Sequence, residues 1–225
     1  MAIYVTSDAH GHVRALDEAL SKISLTSDDT LYVLGDMIDR GPDPLGVIKL
    51  VRSLPNAHVL KGNHEQIMLD AIIGQDPLDA ETWDINGGWT TREQLNDMEF
   101  EAYEELVRWM AALPLYAVAE TDERPYLLVH AGIEMDAARA FLLEHDVDCS
   151  DGRGAVDADR DLLQQMLAVQ SSDDLLWIRH GYWDKPTGLL SADGKGPVVV
   201  SGHTPTVSLG RYCEVGGLGG STRNR

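Results

Sequence analysis

Apolar and polar positions in the first third of the chain follow two alternating rhythms. Ala2–Ser7 (AIYVTS) is a short, β-rich apolar run, and Val13–Ile23 behind it carries the spacing of an amphipathic helix. Thr30–Gly35 (TLYVLG) repeats the strand pattern, with a loop and then a helical stretch over Leu45–Leu54. Ala57–Leu60 is a third short strand, followed by a helical Gln66–Ile73. Alternation at about 30 residues per unit predicts strands joined by helical crossovers.

The rhythm then changes. Trp83–Trp89 (WDINGGW) reads as a glycine-containing loop, and Thr91–Leu113 as largely helical, with Tyr103, Leu106, Val107 and Met110 at helical spacing before Pro114. Leu115–Ala119 and Tyr126–His130 form a strand pair around a polar TDERP turn. From Asp136 to Gln170 the pattern is helical and acidic, broken at CSDGRG, and Val198–Ser201 is the last convincing strand. The tail GGLGGSTRNR has no packing pattern, so residues 216–225 are expected to be mobile. No repeat or linker divides the chain, which reads as a single domain over 1–225.

Composition narrows the classes. With 44% hydrophobic and 24% charged residues, the 225-residue chain is globular rather than disordered. No stretch approaches the ~20 apolar residues of a membrane span, and the first residues lack the features of a secretory signal. Cys149 and Cys213 are far apart and form neither a disulfide framework nor a CxxC pair, so a cytoplasmic setting is expected. A net charge of −19 without any Lys/Arg cluster argues against binding a nucleic-acid backbone. An enzyme of this charge that handles phosphate needs a local positive site, which bound divalent cations supply.

Five motifs fall where strands give way to loops: Asp8-Ala-His10, Gly35-Asp36-Met-Ile-Asp39-Arg40-Gly41, Gly62-Asn63-His64-Glu65, His130-Ala-Gly132 and Gly202-His203-Thr-Pro205. Asp8, Asp36 and His64 are 28 positions apart in each step, which brings three loops to one sheet edge. Their carboxylates, imidazoles and one amide, with no thiolate, suit Mn, Fe or Zn and suit Ca poorly. One four-coordinate zinc would leave several without a role, whereas two metals use them all.

In order, DxH, GDxxDRG, GNHE, a later His and a final GH resemble the metallophosphoesterase superfamily, and within it the bacterial and phage serine/threonine protein phosphatases. The resemblance runs from Asp8 to Pro205. It implies a calcineurin-like α/β fold, with two mixed sheets face to face and flanked by helices. It also implies two divalent metals, Mn²⁺ first with Fe or Zn as alternatives. Asp8 and His10 would bind the first metal, Asp36 would bridge both, and Asn63, His130 and His203 would hold the second. His64 resembles the family's general acid, oriented by Asp39, and Arg40 and Arg179 resemble phosphate clamps. The expected reaction is phosphomonoester hydrolysis by a metal-bridging hydroxide. Two ligand carboxylates against two divalent cations leave the positive charge that such chemistry requires.

The favoured substrate on this resemblance is phosphoserine or phosphothreonine in proteins, and the acidic stretch Glu144–Asp161 could then favour basic flanks. The alternative is a dinucleoside polyphosphate or another small phosphorylated metabolite. Asp39 and Glu65 lean away from it, because similar symmetrical dinucleoside tetraphosphatases lack an Asp39 equivalent and tend to have Asp after the His. A third reading is an inactive metal-binding scaffold, since relatives continue beyond the GH motif with further strands and the C-terminal strands here are expected to be shortened. Trp83 and Trp89 read as packing residues, and His12, His58, His145 and His180 as structural or surface.

Overall fold

The computed structural model describes residues 1–74, 76–179, 182–183, 185–205 and Ser208. His180, Cys213 and the tail 216–225, on which expectations were placed, lie outside them. The chain divides into two units, Met1–Pro114 and Leu115–Arg225, each with its own sheet.

In the first unit the β-rich runs become β1 (Ile3–Thr6), β2 (Thr30–Val33) and β3 (Ala57–Val59). They pair in the order β1-β2-β3, parallel throughout. Parallel neighbours require crossovers, and α1 (Val13–Ile23) and α2 (Pro44–Ser53) provide them. Helix α2 starts where the Asp43 side chain accepts from the Gly46 N–H and Pro44 takes the first turn. After β3 come α3 (Asn63–Ile73), α4 (Pro77–Ile85), α5 (Trp89–Asn96) and α6 (Phe100–Ala111). Leu31, Val33, Val47, Val51, Met68 and Met110 are buried in one continuous apolar cluster beneath these helices.

Three differences from the sequence reading lie here. Helix α3 begins at Asn63, not Gln66, so the GNHE motif forms its first turn. The Glu65 carboxylate accepts from the Gly62 N–H and satisfies one donor that a helix start leaves orphaned. The WDINGGW segment is mostly helical, because Asp76 caps α4 (its side chain accepts from the Leu78 N–H) and Pro77 opens it, leaving only Asn86–Gly88 as a turn. The long helix after Thr91 is two helices, broken at 97–99.

The second unit contains β4 (Tyr116–Glu120), β5 (Pro125–Val129) and β6 (Val198–Val200). β4 and β5 are antiparallel, and β5 and β6 parallel. Between β5 and β6 run α7 (Met135–Glu144), a 3-10 turn over Ser150–Gly152, α8 (Arg160–Ala168) and α9 (Ser172–Trp177). The acidic region is therefore less continuously helical than its pattern implied. Leu127, Val129, Leu142, Leu163 and Leu175 centre a second apolar cluster. The α/β class expected from the sequence is observed. Among the described residues no helix is long and apolar enough to cross a membrane.

Candidate metal centre and catalytic residues

Each sheet carries its chemistry at the C-terminal ends of its parallel strands. In the first unit the loop after β1 runs beside the loop after β2: Asp8 N–H donates to Gly35 O, His10 N–H to Asp36 O and Gly11 N–H to Met37 O. The loop after β3 closes on the same place, where His64 N–H donates to Asp36 Oδ1 at 3.0 Å. Two glycines allow this approach. A Cβ on Gly35 would lie 2.2 Å from Gly62 N, and one on Gly62 would lie 2.2 Å from Asp36 Oδ1.

Glu65 ties the loops together. Its Oε2 accepts from the N–H groups of Asp36 and Gly62 and its Oε1 from that of Met37, all at 2.8 Å. The side chain is wholly buried, and burial raises its carboxyl above the usual range against the pull of those three donors. Burial, then the charges of Glu65 and Asp8, holds Asp36 well above the usual carboxylate range.

His10 donates from Nδ1 to Ile38 O (2.9 Å), which leaves Nε2 facing Asp36 Oδ2 at 3.5 Å. Burial, with the His64 and Arg40 charges nearby, pulls His10 down to about 4, so its lone pair is present at neutral pH. Ligand atoms of His10, Asp36 and His64 lie within 4.8 Å of one another. Crowded carboxylates, held beside a neutral imidazole of fixed tautomer, are a donor set that fits a divalent cation.

His64 is turned by a different set of bonds. Its Nδ1 meets Asp39 Oδ2 at 2.7 Å with both side chains fully buried. Arg40 Nη2 reaches His64 Nε2 at 2.7 Å, and Nη1 reaches His10 Nε2 at 3.0 Å. A guanidinium only donates, so with Arg40 in this place Nε2 is the acceptor and the Nδ1–H donates to Asp39. Arg40 is exposed, and its backbone N–H and Nε donate to the carbonyls of Gly87 and Asn86.

In the second unit β5 delivers His130 and β6 delivers His203, with Gly202 N–H donating to His130 O at 2.8 Å. His130 Nε2 and His203 Nδ1 face each other at 3.2 Å, both residues buried. Arg179 Nε donates to His203 Nε2 (2.8 Å) and its Nη2 to His203 O (3.3 Å). The two histidines are thus brought together as expected, and Arg179 lies against one of them.

Backbone conformation marks the same residues. Of nine non-glycine described residues at positive φ, six are candidates from the sequence: Asp8, His10, Asp36, Asp39, Arg40 and His203. Each such conformation costs about 1–2 kcal/mol, and such strain gathers at functional sites.

The family model of the calcineurin-like phosphoesterases matches residues 1–217. The chain belongs to this family. Symmetrical bis(5'-nucleosyl)-tetraphosphatases are among its curated relatives. That of Erwinia tasmaniensis is 31% identical over 153 residues, 66% of this chain and 51% of its own length. That of Proteus mirabilis is 32% identical over 155 residues, again 66% and 51%. The chain spans about half the length of the curated relatives it matches. A solved metallophosphoesterase from Sphaerobacter thermophilus is 26% identical, covering 58% of this chain and 46% of its own, with a TM-score of 0.40.

Three residues of this calcineurin-like phosphoesterase escaped the sequence reading as site residues. Glu65 entered as part of a motif and as a pointer to substrate class, not as a residue that binds the loops. Thr91 carried no signal. Trp83, read as packing, is buried and donates its indole N–H to Asp39, whereas Trp89 is 53% exposed. His12, His58 and His145 are exposed, as expected of surface histidines.

Proposed function

We propose that this calcineurin-like phosphoesterase hydrolyses a phosphoric ester or anhydride bond in a small phosphorylated substrate, with a dinucleoside polyphosphate the first to test. The pairing that carries the hydrolase part of the reading, whichever substrate it serves, is His64 on Asp39, with Arg40 against the opposite imidazole nitrogen. Asp8, His10, Asp36 and Asn63 of the first unit, and His130 and His203 of the second, are the proposed ligands of two divalent metals. When bound, such metals supply positive charge and an activated water. Arg40 and Arg179 bind phosphoryl oxygens, donating in their planar geometry. With Arg40 turned from Nε2 to the phosphoryl group, His64 takes up a proton on Nε2, keeps its Nδ1–H on Asp39, and hands the Nε2 proton to the departing oxygen. The names of the curated relatives favour a dinucleoside polyphosphate over the phosphoprotein expected from the motifs.

The buried Asp39–His64 pair favours a second reading, a phosphomonoester of an alcohol such as phosphoserine. A departing alkoxide is far more basic than a phosphate oxygen, whose second pKa is about 6. A built-in proton donor helps the alkoxide most.

Manganese-loaded protein should be given diadenosine tetraphosphate, a phosphoserine peptide and an aryl phosphate, with products resolved by chromatography. Two nucleoside diphosphates per tetraphosphate, formed faster than phosphate from the peptide, support the first reading. The reverse ranking supports the second. No turnover of any substrate, with metal content verified, would leave the scaffold reading and refute both.

A further inference from the structure

Asp39 has more holding it than the histidine it serves. Its Oδ1 accepts from the Thr91 hydroxyl at 2.6 Å, and the Trp83 indole N–H lies 3.1 and 3.2 Å from Oδ1 and Oδ2. The same hydroxyl accepts from the Asp39 backbone N–H at 2.9 Å, so Thr91 grips main chain and side chain together. Asp39, Thr91 and His64 are fully buried, and Trp83 is nearly so. A buried carboxylate with several lone pairs needs several donors, and His64 Nδ1 supplies one.

The donors come from both sides of a single turn. Trp83 belongs to α4, Thr91 to α5, and Asn86–Gly88 joins them. Gly87 O accepts the Arg40 N–H, which binds this turn to the loop that holds Asp39 at φ 68° and Arg40 at φ 65°. Gly88 leaves room for the indole: a Cβ there would lie 2.3 Å from Trp83 Nε1.

We infer that Trp83 and Thr91 are positioning residues for proton donation, acting through Asp39 to fix the direction and tautomer of His64. Both are buried, out of reach of solvent. They complete a relay of fixed geometry from the α4–α5 turn to the imidazole: hydroxyl and indole to carboxylate, carboxylate to Nδ1, with Nε2 on the opposite side against Arg40. This inference rests on the acid role proposed for His64. If packing alone explained both residues, their loss would slow every substrate alike. If they aim the acid, loss of either matters only where the leaving group needs its proton.

The test compares Thr91→Val, Thr91→Ser, Trp83→Phe and His64→Asn, each manganese-loaded with metal content measured, on phenyl phosphate and p-nitrophenyl phosphate. The expected result is a kcat loss of about 10–100-fold on phenyl phosphate for Thr91→Val and Trp83→Phe, smaller than the roughly 10²–10⁴-fold that an acid–base group itself contributes. The loss should be only a few-fold on p-nitrophenyl phosphate, with KM little changed and with Thr91→Ser restoring most of the rate. In metal-free protein the His64 Nδ1 proton resonance, identified by its absence in His64→Asn, should shift in Thr91→Val and Trp83→Phe and return in Thr91→Ser. Equal losses on both substrates overturn the inference, as does a wild-type profile in both variants while His64→Asn shows the leaving-group dependence. If His64→Asn itself shows none, the acid reading falls and catalytic positioning falls with it. An unmoved proton resonance would then also refute the structural relay.

Discussion

Replacing Glu65 by Gln removes one charge from the first unit and keeps its shape. Two effects oppose each other. The carboxylate accepts three backbone N–H groups from two loops at 2.8 Å. An amide retains one acceptor oxygen and turns its NH₂ towards a backbone donor. If the oxygen stays where Oε2 was, the Asp36 and Gly62 bonds survive as neutral ones, each weaker by about 1 kcal/mol. The Met37 N–H then faces another donor in a buried place, at a cost of about 1–3 kcal/mol. Against this, the variant removes the buried charge whose cost raises the Glu65 carboxyl, and Asp36 loses a like-charged neighbour. The losses dominate where the amide strands the buried Met37 N–H and weakens the two other bonds together, because burial, not Glu65, is the larger influence on Asp36. We expect a net destabilisation of about 2–4 kcal/mol, which for a chain of this size lowers Tm by roughly 4–16 °C. Thermal and urea unfolding of chelator-treated wild type and Glu65→Gln would measure it. An unchanged or raised Tm would show that charge relief dominates, and would refute the view that Glu65 holds the loops in place.

Activity should require added divalent metal and vanish with chelator, and equal turnover by verified metal-free protein would contradict the ligand set. His64→Asn should retain metal and lose rate, whereas His203→Ala should lose metal, as read by elemental analysis. The reverse pattern would exchange their roles. The raised Asp36 carboxyl gives a pH dependence whose sign follows from linkage: a folded-state pKa above the ordinary 3.8 favours folding below that range, and the advantage is lost as pH rises through the raised value. A divalent cation replaces the proton, so the gain in Tm on adding Mn²⁺ should grow as pH increases, measured by thermal shift from acid to neutral pH. A gain independent of pH would show that the metal does not compete with that proton.

What could be read from the chain was what local sequence encodes. Asp8, Asp36 and His64 declared themselves by spacing, because each follows a β-rich run and parallel strands deliver their ends to one edge. Asp39 was legible because it lies in the same short motif as Asp36 and Arg40. Thr91 was not legible, because its hydroxyl meets a carboxylate 52 positions away, and nothing local distinguishes it from Thr90. Trp83 looked like an ordinary apolar residue because its polar atom acts on a partner 44 positions distant. The start of α3 was missed for a similar reason: the helical rhythm begins at Gln66, but the first turn is held by the Glu65 carboxylate on Gly62. Caps and close loop contacts lie outside what periodicity reports.

The positive-φ residues have a consequence for how this protein responds to selection. At Asp8, His10, Asp36, Asp39, Arg40 and His203, glycine would relax the backbone while removing the side chain to which a role is proposed. On the proposed roles, backbone ease and activity compete at six positions, most of them in the first 40 residues. A population evolved for heat resistance alone should drift towards glycine first at the exposed Arg40, and least at Asp36 and Asp39, whose carboxylates satisfy buried donors. A population required to turn over substrate should hold all six against that drift and gain its robustness elsewhere in the fold.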